Sequence, residues 1–189
     1  MLNLIGKSIL VSYILLFPFS LQAGDKSDDA GKHFVLNLVG TGHMYENTVP
    51  DIDGDGQDDP AMCFDVQVFD AHTNKIIGKG TDCLAKVTPT GTGVALVGTT
   101  YFHFPGGTLI TRGKTSVQPV FHPTITPRGE VITHITGASS NDNAILGGTG
   151  RFTHAKGTAR LSGMVNMANF AGNVGDPISF DCLFVVNLN

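Results

Sequence analysis

Met62-Cys-Phe-Asp-Val-Gln-Val-Phe-Asp70 changes character at every step, and residues 75–87 resume a β-rich pattern after the polar stretch Ala71-His-Thr-Asn74. A period of two is the mark of a strand with two unlike faces, and the short polar break reads as the turn of an antiparallel hairpin. With the turn centred on Thr73, Cys63 and Cys83 face each other, and directly opposed residues are near enough for a disulfide. Pairings that use Cys182 stay open.

Strand signals continue on both sides of this hairpin, over residues 33–40, 93–104, 108–120, 130–136, 157–167 and 178–188. Pro105-Gly-Gly107 punctuates a second hairpin, and no segment shows sustained helical periodicity. Together with the first pair this makes eight strands, the count of an antiparallel barrel or sandwich. The 189 residues allow one ordinary domain, and 24 Gly, 9 Pro and no Trp suit short elements joined by tight turns. With 15% charged and 41% hydrophobic residues, a disordered chain and a coiled coil are both excluded. The formal charge of −4 provides no field for a phosphate backbone, so no nucleic-acid partner is expected.

Residues 1–23 read as a cleavable signal peptide: Lys7, an apolar run to Leu21 broken by Pro18, then Ala23 before Gly24. The expectation is an exported protein, secreted or periplasmic, with residues 24–189 as one domain. Export places the cysteines where disulfides persist. A small outer-membrane barrel would need two aromatic girdles, and beyond the signal only Tyr45 and Tyr101 remain with no Trp. The chain is therefore not read as an integral membrane protein.

An acidic loop is expected over residues 41–61. Within it Asp51-Ile-Asp53-Gly-Asp55-Gly-Gln57-Asp58-Asp59 places oxygen donors at positions 1, 3, 5, 7 and 9 of a calcium loop, with Gly at 6. Asp51, Asp53, Asp55, Gln57 and Asp59 are the candidate ligands of a structural Ca2+. Position 12 is Met62, so the bidentate Glu of an EF-hand has no counterpart. The loop resembles the DxDxDG loops of dockerin and thrombospondin type 3 repeats, and the missing ligand places the affinity near 10⁻⁴–10⁻³ M, on the order used by extracellular modules.

Ala144-Ile-Leu-Gly-Gly-Thr-Gly-Arg-Phe-Thr-His-Ala-Lys-Gly157 is similar to the GGTGxFxxAxG segment of dirigent proteins and to the GGxGxF stretch of allene oxide cyclases. Gly80-Thr-Asp-Cys83-Leu resembles the cyclases' Gly-x-Cys strand, and Tyr101 to Gly113 resembles their strand-turn-strand. The similarity runs over residues 64–188. It implies an all-β fold, an eight-stranded antiparallel closed barrel with a largely apolar lumen, often a homo-oligomeric trimer. In the cyclases a cavity Glu and the strand Cys assist ring closure. Cys83 matches the second, whereas the first strand offers only Asn37 as a polar residue.

Alternation supplies further lumen candidates. If Cys83 points inward, Cys63, Asp65, Gln67 and Phe69 share its face while Phe64, Val66 and Val68 face away. Either the apolar set fills the barrel and the polar set faces water, or the polar set lines the lumen and a neighbouring subunit covers the outside. Under the second arrangement Cys83, Asp65, His103 and His134 are candidates for proton transfer, and Cys63, Gln67, Phe69, Tyr101 and Arg112 for ligand contact. No nucleophilic triad, zinc spacing or phosphate loop is visible, and no organic cofactor is expected. The functional expectation is a small apolar ligand held in the lumen and isomerised or cyclised by confinement. The alternatives are a non-catalytic hydrophobic-ligand carrier and a calcium-stiffened structural or adhesive module.

Overall fold

The computed structural model describes residues 32–127, 129–138 and 144–189. The expected signal peptide lies outside the described residues. The chain is all-β: β1 His33–His43, β2 Tyr45–Val49, β3 Asp59–Asp70, β4 Lys75–Thr90, β5 Gly93–Phe104, β6 Gly107–Ile125, β7 Val131–Ala138, β8 Ala144–Gly148, β9 Gly157–Asn166 and β10 Pro177–Leu188. One 3-10 turn, Gly150–Phe152, is the only helical element among the described residues. None of them forms a helix long and apolar enough to cross a membrane.

All pairings are antiparallel, and the hydrogen-bonded path closes on itself. It runs β1-β10-β9-β7-β6-β5-β4-β3, and β3 returns to β1 through Leu36↔Asp70 to Val39↔Gln67, giving a ring of eight strands. The two remaining strands share a neighbour's place: β2 takes the far end of β3's edge, and β8 joins β7 in the gap between β6 and β9. Both lie outside the eight strands expected from the sequence. Tyr-Glu-Asn-Thr-Val is too polar to announce a strand, and Ala-Ile-Leu-Gly-Gly is too short. The acidic loop is correspondingly shorter than expected, since β1 runs on to His43 and β2 pairs with the start of β3, leaving residues 50–58 as the connection.

A ring has one inner face, and period-two alternation assigns it. On β10, Ile178, Phe180, Cys182, Phe184, Val186 and Leu188 are buried in one apolar cluster while the residues between them are half-exposed or exposed. Leu36 and Leu38, Phe64, Val66 and Val68, Leu84, Leu96, Phe102, Leu109 and Val117 complete the interior. Edge-to-face pairs of Phe64 with Phe180 and Phe102 with Phe184, at 5.2 and 5.1 Å between ring centres, fix its packing. One end is closed by the glycine-rich segment. Phe152 is fully buried against Phe104, and the backbone of Thr149 and Arg151 bonds Thr108 O and Gly106 O. A Cβ at Gly148 or Gly150 would collide with Thr108 O or Gly106 O, so only glycine admits this docking.

Cys63 lies opposite Cys83 and is bonded to it. The turn alone does not produce that register. Phe69 pairs with Ile76 and Val68 with Gly78, so Ile77 is an extra residue on β4. Without it Cys63 would face Asp82. The bulge moves the register by one, and a shift of one exchanges the two faces of every residue beyond it.

The disulfide closes a segment of 20 residues between directly paired strands. Replacing both cysteines by alanine is expected to lower the unfolding free energy by about 2–4 kcal/mol in chemical denaturation. An unchanged midpoint in the double variant would mean that the strand pairing holds this register without the covalent link.

Candidate functional site

The interior is apolar except along one side. Asp82 on β4, Thr100 on β5 and Thr111 on β6 form a cross-strand row, each paired with the next. The neighbouring row toward the open end is Leu84, Gly98 and Gly113, again paired in sequence, followed by Leu96 opposite Thr115. These residues line an internal cavity of about 30 Å³, closed on its other sides by Val117, Thr136, Leu161, Val165, Met167, Ile178, Phe180 and Phe184. A larger cavity of about 280 Å³ opens at the end opposite Phe152, lined by Val87, Val94, His134, Phe170 and Ala171. Leu84, Leu96 and Met167 line both spaces.

Asp82 is the outstanding chemical feature. It is 5% exposed, and its carboxyl accepts a hydrogen bond from Thr100 Oγ1 at 2.5 Å. No cation among the described residues pairs with it. Burial opposes its ionisation, and the Thr100 bond only partly offsets this, so the pKa is pushed up to about 7. Cys182, also inside, has its thiol pKa raised first by burial and then by the charges of Asp82 and Asp181; it is an inert packing group rather than a nucleophile.

Most of the residues expected in the lumen stand on the outer face. Cys63 and Cys83 are tied to each other there, so Cys83 is no free thiol and does not face the interior. Asp65, Thr81 and His103 form a ladder across the outside: Thr81 Oγ1 donates to Asp65 Oδ1 at 2.6 Å and lies 3.2 Å from His103 Nε2, while Lys79 Nζ bridges Asp65 Oδ2 at 2.8 Å. Desolvation is the largest influence on Asp65, but the bonds from Lys79, Thr81 and Tyr45 together outweigh it and lower its pKa. Desolvation and Lys79 lower that of His103. Tyr101 stacks beside His103, Gln67 is exposed, and Phe69 is half-buried outside the main core. Asn37 also faces outward and donates to Asp181. Among the four proton-transfer candidates His134 alone reaches the interior side, at the open end, where its Nδ1 meets Thr133 Oγ1 at 2.8 Å.

The arrangement is thus the apolar-inside one, with one addition that alternation alone did not supply. The chain's own 50–58 loop covers part of the outer face. Val49, Ala61, Cys63, Cys83 and Ala85 form a second buried cluster against which Tyr45, Ile52 and Tyr101 pack. Arg112 fastens this cover from β6: Nη1 donates to Asp51 O at 2.8 Å, Nη2 to Pro50 O, and Nε to Thr99 Oγ1. Arg112 therefore holds a loop and contacts no lumen ligand.

Within the loop, Asp51, Asp53 and Asp59 each bring one carboxylate oxygen within 4.8 Å of the others, a group that could hold a metal ion. Asp55 is turned to the Gln57 N–H and stands outside the group. Asp51 accepts from the backbone of Gly56 and Gly54, which lowers its pKa. A second bulge on β4, between Ala85 and Thr88, carries Lys86 with φ +50, and its ammonium lies 2.9 Å from Asp53 and 2.5 Å from Asp59. Each of these contacts favours the charged forms: Asp59 is lowered, chiefly by Lys86, and Lys86 is raised, chiefly by Asp59.

No protein-family model matches the chain, and no curated protein matches it by sequence.

Asp82 neighbours Cys83, and strand alternation marks it as interior once the inward face is known. Because its pKa is higher folded than unfolded, the proton favours the folded state. Its contribution is complete below about pH 4 and is lost as pH rises through about 7, a difference of about 4 kcal/mol. Asp82→Asn is expected to stabilise the protein relative to wild type at pH 8 but not at pH 4, measured by denaturant unfolding at both. Equal differences at the two pH values would show that Asp82 ionises freely in the fold.

Proposed function

We propose that this chain is an exported allene oxide cyclase/dirigent-like β-barrel protein that takes a small, mainly apolar molecule at the open end of the ring. The bound molecule is isomerised or cyclised with Asp82 as the proton-transferring group. The observation that carries this reading is an uncompensated carboxyl, pKa about 7, on the wall of an apolar interior that leads to an open mouth. A group with that pKa can both give and take a proton near neutral pH, which a surface aspartate cannot do efficiently. Structural carboxylates are instead placed against cations, as Asp65 and Asp59 are here.

The dimensions limit how the ligand sits. An apolar cavity that binds benzene measures about 150 Å³. The inner space, about 30 Å³, admits a group of one or two non-hydrogen atoms. The body of the ligand therefore occupies the mouth among Val87, Val94, Phe170 and Ala171, and only its reacting end passes Leu84, Leu96 and Met167. Confinement at the mouth orders the chain, and Asp82 acts at the tip. Cys83 has no part in this chemistry.

For the loop, the proposal is a structural calcium ion on Asp51, Asp53 and Asp59. The donor set suits a hard cation, and the ion would take the place that the Lys86 ammonium holds between Asp53 and Asp59. Competition by Lys86 keeps the affinity low. Millimolar Ca2+ is expected to raise the melting temperature, and to raise it more in Lys86→Gln, where no ammonium has to be displaced. A melting temperature indifferent to Ca2+ and to EDTA in both proteins would defeat the assignment.

For the interior, incubation with lipid extracts followed by mass spectrometry is expected to show an apolar compound retained by wild type and converted. Asp82→Asn is expected to retain it unconverted. Repeated failure to capture or transform any apolar compound would remove the reading.

A further inference from the structure

We propose that the rim of the open end is a membrane-docking surface, and that its partner is the face of a zwitterionic lipid bilayer. The inference goes beyond the ligand-binding reading above and does not depend on it.

Three connections border that end. Residues 86–93 lead from β4 into β5, residues 118–134 from β6 into β7, and residues 166–177 from β9 into β10. On β6 the pairing with β5 stops at Val117, and on β7 the pairing with β9 starts at His134, so between them the two strands form a ribbon that pairs only with itself. A two-stranded ribbon has little stability of its own in water. This one nevertheless holds Phe121 at 99% exposure and Ile125 at 67%. Ile125 is paired directly with Val131, also exposed, so the two share one face, while Ile132 on the other face is buried. Val87 on the first connection and Val174 on the third are exposed as well, and Val87 lines the mouth itself. Of the nine large apolar side chains exposed among the described residues, five therefore stand at this one end.

Their distribution selects lipid over protein. The five side chains sit on three separate connections around an opening, whereas a stable interface with a second copy needs about 800 Å² of continuous, matched surface on each side. A bilayer interface is fluid and closes around separate apolar tips, and attachment there scales with the apolar area inserted. Charge then selects the lipid. The three connections carry four formally charged residues, Lys86, Arg128, Glu130 and Asp176, two of each sign. Lys86 is held between Asp53 and Asp59, and Asp176 accepts from the N–H groups of Ala171 and Asn173. The rim thus has neither a basic cluster for anionic headgroups nor an acidic field that would be repelled by them. The protein lies on the surface and does not span it. Seated this way, its mouth faces the phase in which an apolar ligand dissolves.

The test is co-sedimentation with phosphatidylcholine vesicles. It uses residues 24–189, which hold every strand of the ring and omit the apolar run before Leu21 that would bind lipid by itself, with the disulfide intact. Wild type is expected to sediment with the vesicles, and its partitioning to change by less than about twofold between about 50 and about 500 mM NaCl. Phe121→Ser is expected to lower the partitioning at least about tenfold, and Val174→Ser, on a different connection, to lower it by a smaller factor. Ile76→Ser, 57% exposed at the opposite end of the ring, is expected to leave it unchanged. All three replace exposed side chains, so their denaturation midpoints should stay with wild type. No sedimentation with vesicles, an Ile76→Ser loss as large as that of Phe121→Ser, or binding that requires phosphatidylserine and vanishes in salt would overturn the proposal. Self-association of wild type that Phe121→Ser abolishes, without vesicle binding, would assign the rim to a second copy and overturn it too. None of these results bears on capture of an apolar compound at the mouth, which the lipid-extract experiment reads separately.

Discussion

One extra residue on β4 decides what this molecule can do. The four-residue turn after Asp70 would by itself set Cys63 against Asp82, and Ile77 displaces that register by one. Because successive side chains on a strand point to opposite faces, the displacement sends Cys83 outward to its disulfide and Asp82 inward to the cavity. The disulfide then holds the register that the bulge created, so the covalent link and the buried carboxyl are two results of one backbone irregularity. Had the hairpin been regular, the interior would carry a cysteine and the aspartate would sit in water as an ordinary surface acid.

The second irregularity of β4 works on the other face. Between Ala85 and Thr88 the strand again carries an extra residue, and Lys86, held at φ +50, is aimed at Asp53 and Asp59. A non-glycine residue in the left-handed region is disfavoured and persists where its surroundings require it. Here two carboxylates supply the requirement. With Arg112 holding the carbonyls of Pro50 and Asp51, the 50–58 loop is fastened from both sides over the disulfide. Strand β4 thus joins an apolar interior that raises the pKa of its one acid to an outer surface where Asp53, Asp59 and Asp65 are paired with lysines.

Legibility followed the strength of local pattern. The eight ring strands were readable because their alternation is written in residue type, as in Phe64, Val66 and Val68 against Asp65 and Gln67. Strands β2 and β8 were not, since Tyr45–Val49 and Ala144–Gly148 become strands only because β3 and β6 offer them free edges. The acidic loop was legible as an oxygen-rich segment, yet only Asp51, Asp53 and Asp59 converge; Asp55 is spent on a local turn. His134 was the one proton-transfer candidate found on the interior side, and Asp82 was passed over in favour of its neighbour Cys83.

What the sequence by itself determined is the class of the fold, the eight ring strands and the presence of two unlike faces on each strand. All of these depend on residues within a turn or a strand of one another. Which face turns inward was decided only in three dimensions, because alternation is symmetric and a ring chooses its inner side by the total apolar area it can bury. The same closure, joining β1 to β3 and β10, set the cavity over Gly98 and Gly113 and desolvated Asp82. A carboxyl takes its proton affinity from its surroundings, and those surroundings are assembled from six strands that the chain brings together only on folding.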